Sequence, residues 1–109
     1  HFARETHLDE LAAALGLDPL EIRLRNLTDE RLRTVLLAAV ERFDWKKRPQ
    51  NQPHRGAGLA LGLEKGSVVA TCAEVLIDPS SGDVKVVRVV QAYECGAIIN
   101  PAHLRAQNE

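Results

Sequence analysis

The chain has 109 residues, with 14 Lys and Arg against 15 Asp and Glu and a formal net charge of -1. Hydrophobic residues make up 45% and charged residues 27%, a globular composition that argues against disorder and gives no general electrostatic reason to bind nucleic acid or an anionic membrane. Two cysteines are too few for a disulfide scaffold, and no apolar run nears the roughly 18–20 residues that span a bilayer.

Residues 1–43 predict three helices. From Glu5 to Leu15, the residues Leu8, Leu11, Ala12 and Leu15 fall at i, i+3, i+4 and i+7, so this face is expected to pack inward. Gly16 suits the left-handed position that ends such a helix. Asp18-Pro19-Leu20-Glu21 starts a second, short helix, with Asp18 as N-cap, Pro19 at N1 and Glu21 reaching back from N3. It runs to about Asn26 with Leu20, Leu24 and Leu27 inward. Thr28 is expected to cap a third helix, with Asp29 and Glu30 near its positive end. Leu32, Val35, Leu36, Ala39, Val40 and Phe43 form its apolar stripe, the longest in the chain.

Residues 44–56 break the pattern and read as a linker. Lys46, Lys47, Arg48, His54 and Arg55 admit a phosphate-binding reading, but aromatic interleaving is missing and a solvated connection is the better account. Residues 57–109 then read as a β part ending in the start of a helix. Gly56 to Leu63, Val68 to Ile77 and Val84 to Tyr93 predict strands, and Asp78-Pro79-Ser80-Ser81-Gly82-Asp83 predicts a hairpin turn. The expected fold is α+β: three N-terminal helices packed beside an antiparallel sheet, with a C-terminal helix start. Apolar residues on both faces of the hairpin imply cover on both sides, and the helices supply only one.

The register expected of that hairpin separates Cys72 from Cys95 too far for a disulfide, so both are read as thiols and Cys72 as a core residue. His1, His7, His54 and His103 are scattered, and His7 has Leu11 at i+4, so a metal site is not expected. Glu94, beside Cys95 and Gly96 where a strand ends, reads either as a base or as a hydrogen-bonded strand end. Beyond it, Asn100 can cap a helix with Pro101 at N1, which places His103 and Gln107 at i and i+4.

Phe2-Ala3-x-Glu5, Asp9-Glu10-Leu11-Ala12, Leu15-Gly16, Asp18-Pro19-Leu20-Glu21 and Arg23-Leu24-Arg25-Asn26-Leu27, in that order, resemble a run in a known subunit. So do Ala70-Thr71-Cys72-Ala73-Glu74-Val75 and Cys95-Gly96…Asn100-Pro101 with Gln107. The subunit is the large molybdopterin-binding subunit of the xanthine dehydrogenase/aldehyde oxidase family, and the chain is most similar to its isoquinoline 1-oxidoreductase-like and aerobic carbon-monoxide-dehydrogenase-like members. The resemblance implies an internal fragment of a molybdenum hydroxylase oxidoreductase that oxidatively hydroxylates aldehydes or N-heteroaromatics. The implied cofactor is a molybdenum–molybdopterin, in some members in the cytosine dinucleotide form, with none expected on the fragment itself. Gln107 matches the family glutamine that hydrogen-bonds the pterin, and Gly96, Asn100 and Pro101 match the turn that delivers it.

The family's Gln-Gly cofactor loop, its dinucleotide-contacting segment and its catalytic Glu have no counterpart here, so the fragment alone is expected to be inactive. Asn108 stands where the family commonly has an apolar residue. Expected partners are the rest of the large subunit, an iron–sulfur subunit or domain and a small-molecule substrate, without nucleic acid; self-association of the fragment is also expected. The expected compartment is the cytoplasm, with the periplasm as the other reading. The alternative reading of function is a non-catalytic interaction module that docks a partner through an apolar sheet face.

Overall fold

The computed structural model describes residues 1–108; Glu109, the last residue of the expected β part, lies outside the described residues. In chain order the elements are α1 (Phe2–Leu15), α2 (Pro19–Asn26), α3 (Glu30–Phe43), a 3-10 turn (Trp45–Lys47), β1 (Arg55–Glu64), β2 (Ser67–Ile77), β3 (Val84–Glu94) and α4 (Pro101–Asn108). The strands form an antiparallel sheet in the order β1-β2-β3, so β2 is central. This is the α+β arrangement that the sequence predicts.

The core lies between α3 and one face of the sheet. The stripe Val35, Leu36, Ala39, Val40 and Phe43 is buried against Leu59, Leu61, Val68, Ala70 and Cys72. Large apolar side chains buried this way contribute about 1.5–3 kcal/mol each, which makes this layer the main source of stability. Trp45 extends it: the indole, the one large apolar side chain between α3 and β1, is buried with its ring centroid 6.0 Å from that of Phe43. The stretch from Asp44 onward therefore begins with a core residue, and its charged side chains follow. Pairing of Cys72 with Val90 keeps Cys72 in the core as a free thiol, and Cys95 lies beyond the end of β3.

Three local expectations are corrected. The apolar side of α1 packs only in part: Ala12 is buried and Leu8 half-buried as expected, but Leu11 and Leu15 are exposed, the latter at 65%, and Glu5 is buried instead. The cause lies in α2, where the guanidinium of Arg23 is only 1% exposed and needs carboxylates around it. Its Nε donates to Glu5 Oε2 at 3.0 Å, and its Nη1 donates to Asp9 Oδ1 at 2.7 Å and to the Pro19 carbonyl at 2.9 Å. Nη2 donates to the Glu5 carbonyl at 3.2 Å. The inner side of α1 is thus mixed, with Glu5 and Asp9 beside Leu8 and Ala12.

The cap of α3 is Asp29, not Thr28: the Asp29 carboxylate accepts from the Arg31 N–H at 2.8 Å and the Leu32 N–H at 3.3 Å. A carboxylate at this position also meets the helix dipole, an advantage a threonine hydroxyl lacks. In α2, Asp18 caps as expected, accepting from the Leu20 N–H at 2.7 Å, but Glu21 turns forward to pair with Arg25.

On the sheet, Gly82 takes φ 78° in the β2–β3 turn, and Asp78 accepts from the Ser80 N–H at 2.8 Å. A register shift between Glu74 and Val75 leaves Val87 as an extra residue in β3. The sheet face away from α3 carries Val84, Val86 and Val89, all more than half exposed, beside Val69, Ala73 and Val75.

Two outcomes test this fold. Arg23→Ala strands the buried Glu5 carboxylate and is expected to cost about 3–5 kcal/mol in urea denaturation, whereas Arg25→Ala, which breaks an exposed pair, costs under about 1 kcal/mol. Asp18 supplies a pH dependence. Burial pushes its carboxyl up, but hydrogen bonds from the Trp45 indole and the Leu20 N–H, together with Arg48, hold it below its ordinary 3.8. A depressed folded-state value stabilises above the unfolded value, and that share is lost as pH falls through the folded value. Below pH 3.8 the parent is therefore expected to lose stability more steeply than Asp18→Asn, as read from denaturation midpoints across acid pH.

Candidate functional site

The sequence singles out Gly96, Asn100, Pro101 and Gln107, and all four lie on the segment that leaves β3. Gly96 adopts φ 76°, a left-handed conformation that a β-carbon would strain, so the chain can reverse there. Asn100 then caps α4: its Oδ1 accepts from the His103 N–H at 3.1 Å, and its carbonyl accepts from the Leu104 N–H at 3.1 Å. Pro101 follows as the first residue of the helix, where its missing N–H costs nothing. Gln107 is exposed near the far end of α4 and its amide makes no hydrogen bond among the described residues. Asn108 folds back to donate to the Leu104 carbonyl at 2.7 Å, so a polar residue at this position closes the helix.

Glu94 resolves as a hydrogen-bonded strand end. Its carboxylate accepts from the Gly96 N–H and pairs with Arg31 of α3. The Gly96 N–H, and then Arg31, hold its pKa below the ordinary 4.5, so it stays ionised and is a poor proton acceptor near neutrality. Sequence reasoning did not find Arg31. The residue sits 63 positions from Glu94, and periodicity carries no signal over such a span.

Other parts of the surface do not add to the site. An open groove of about 650 Å³ lies between the start of α3 and the end of β3, but its charged lining residues Arg31 and Glu94 are paired with one another. Three of the five basic residues of the linker are likewise engaged: Arg48 pairs with Asp18 and lies 4.3 Å over the Trp45 ring, Lys47 pairs with Asp44, and Arg55 pairs with Glu74. These contacts account for them as structural charges.

Among the described residues, no three His, Cys, Asp or Glu side chains gather closely enough to hold a metal ion. What the segment offers is an amide with a donor and an acceptor on a capped helix. That donor set fits the mixed polar edge of an organic heterocycle, not a metal.

Residues 65–109 match the model of a molybdopterin cofactor-binding domain. The chain is 37% identical to a nicotinate dehydrogenase subunit of Pseudomonas putida over 97% of its length, and 34% identical to an isoquinoline 1-oxidoreductase beta chain of Brevundimonas diminuta over 99%. Over 54% of its length it is 42% identical to a putative xanthine dehydrogenase molybdenum-binding subunit of Escherichia coli. The chain spans only 10% of the first of these relatives and 14% of the second.

The cap makes a direct prediction. Asn100→Ala frees the His103 N–H and is expected to cost α4 about 1 kcal/mol, seen as roughly fivefold faster amide exchange at His103 and Leu104 with the sheet amides unchanged.

Proposed function

This chain belongs to the molybdenum-binding subunits of the xanthine dehydrogenase family, and from that premise we propose that it helps to seat the molybdenum–pterin cofactor of an oxidoreductase. The observation that carries the reading is the match of residues 65–109 to a molybdopterin cofactor-binding domain, and within it Gln107 is an exposed amide on a helix whose start is fixed by Asn100 and Pro101. Gln107 would hydrogen-bond the pterin edge as donor and acceptor, and Gly96, Asn100 and Pro101 would set where that amide stands. When bound, the group supplies oxidative hydroxylation: a water-derived oxygen replaces hydrogen on an electron-poor carbon, and two electrons and two protons leave. The chain's own residues would bind and orient the group.

The substrate class proposed is an aldehyde or an N-heteroaromatic. The names of the nicotinate and isoquinoline enzymes support the second. The cytosine dinucleotide form of the cofactor and an iron–sulfur partner that takes the electrons belong to the same proposal. So does the remainder of the large subunit as the cover for the valine-rich sheet face, through which isolated copies would otherwise associate. That exposed face is also what favours the second reading, a docking module without catalysis.

Gln107 decides between the two. In the complete molybdenum-loaded subunit, Gln107→Ala is expected to lower molybdenum content or turnover about tenfold, the scale of about 1–3 kcal/mol for one lost polar contact, while the thermal midpoint is held. Normal molybdenum content and normal turnover in that variant would overturn the assignment.

A further inference from the structure

Little in the described structure holds α4 from outside. None of its residues is buried, Leu104 is only half-buried, and the approach to it is open, with Ile98 exposed and Ile99 98% exposed. Among the described residues, what bears on its direction lies at its root, where the chain leaves β3. There Arg31 reaches across from the first turn of α3. It pairs with the Glu94 carboxylate and donates through Nη2 to the Gly66 carbonyl of the β1–β2 turn at 2.8 Å. Glu94 in turn accepts from the Gly96 N–H, at the residue whose left-handed φ turns the chain. One carboxylate thus ties a helix start, the neighbouring turn and the hinge of α4 together.

We propose that Glu94, anchored by Arg31, is a positioning residue for the cofactor seat, fixing the Gly96 turn so that α4 presents Gln107 in register. The inference rests on the reading of Gln107 above. Its physical warrant is leverage. At a rise of about 1.5 Å per residue, Gln107 lies roughly 10 Å along the axis from Asn100, so a rotation of about 10° at the root displaces its amide by about 2 Å. A hydrogen-bonding group in a binding site tolerates only about 0.5 Å. Arg31 and Glu94 are both partly solvated, and such a pair adds little to global stability. Its effect is local, at the turn it holds.

The test uses the complete molybdenum-loaded subunit with Glu94→Ala, Glu94→Gln and Arg31→Ala, against Arg25→Ala as an exposed ion pair broken elsewhere. Molybdenum per subunit, the rate of molybdenum loss to a chelator and the thermal midpoint are measured together. Glu94→Ala and Arg31→Ala are expected to lose more than half of the molybdenum and to release the rest several-fold faster. Glu94→Gln keeps one of the two acceptors: its amide oxygen can still accept from the Gly96 N–H while its NH2 faces Arg31, and its molybdenum content is expected to fall between the parent and Glu94→Ala. The midpoints should stay within the small change seen for Arg25→Ala.

Full molybdenum in Glu94→Ala, or a loss that Arg25→Ala reproduces or that follows a fallen midpoint, would overturn the proposal. If Glu94→Ala yields no folded subunit, Arg31→Ala decides in the same way. Gln107→Ala in the same series separates the two levels. Loss there with retention in Glu94→Ala refutes the positioning role alone, and retention in both refutes the cofactor seat itself.

Discussion

A single carboxylate, that of Glu5, pins α1 and α2 to the edge strand β1 of the sheet. Its Oε2 accepts from Arg23 of α2 at 3.0 Å and from the Leu61 N–H of β1 at 2.9 Å, and its Oε1 accepts from Arg4 at 3.0 Å. Arg4 continues the chain of contacts, donating to the Leu61 carbonyl at 3.0 Å. Both backbone polar groups of Leu61 are therefore satisfied by α1 on the side where β1 has no neighbouring strand. An edge strand with open N–H and C=O groups invites another chain to pair, and here two side chains stand in for the missing strand. Such a pin is costly to form, since two ions leave water, and costlier to break. It lends little net stability compared with the α3 stripe; what it contributes is uniqueness of placement.

The same device recurs at the other anchors. Asp18 gathers the Leu20 N–H, the Trp45 indole and Arg48, joining the start of α2 to the end of the α3 segment. Glu74, buried on the face of the sheet that carries α3, is flanked by Arg55 and Arg88, and Arg88 also lies 4.0 Å over the Phe43 ring. In each case a carboxylate binds groups distant in sequence, while the apolar layer between them sets the energy scale. The division of labour is general: burial supplies magnitude without direction, and charged hydrogen bonds supply direction.

That division explains what could be read from the sequence. The stripe of α3, the three strands and the Asp78–Asp83 turn rest on periodicity and turn chemistry, which are local, and they were legible. So was the helix at Asn100 and Pro101, because a cap and an N1 proline are adjacent residues. The inner face of α1 is legible only in part: Leu8 and Ala12 turn inward as their spacing predicts, but Leu11 and Leu15 outweigh Glu5 and Asp9 until Arg23 is known to be buried. The partner of Glu94 was invisible for the same reason. The cofactor role given to Gln107 had no physical signal of its own, since an exposed glutamine on a short helix is ordinary; the family resemblance alone pointed to it.

The two cysteines differ in a way that reaches beyond packing. Cys72 is fully enclosed in the core, and burial pushes its thiol up to about 11, so at neutral pH only about one molecule in 10,000 carries the thiolate that reacts with electrophiles. Cys95 is only half-buried and lies between Glu94 and Gly96, at the hinge of α4. Of the two thiols among the described residues, the one at the hinge is the more accessible to a labelling reagent. The protein thereby carries a native attachment point for a fluorophore or spin label beside the turn from which α4 departs, where motion of that helix would be read without introducing any new cysteine.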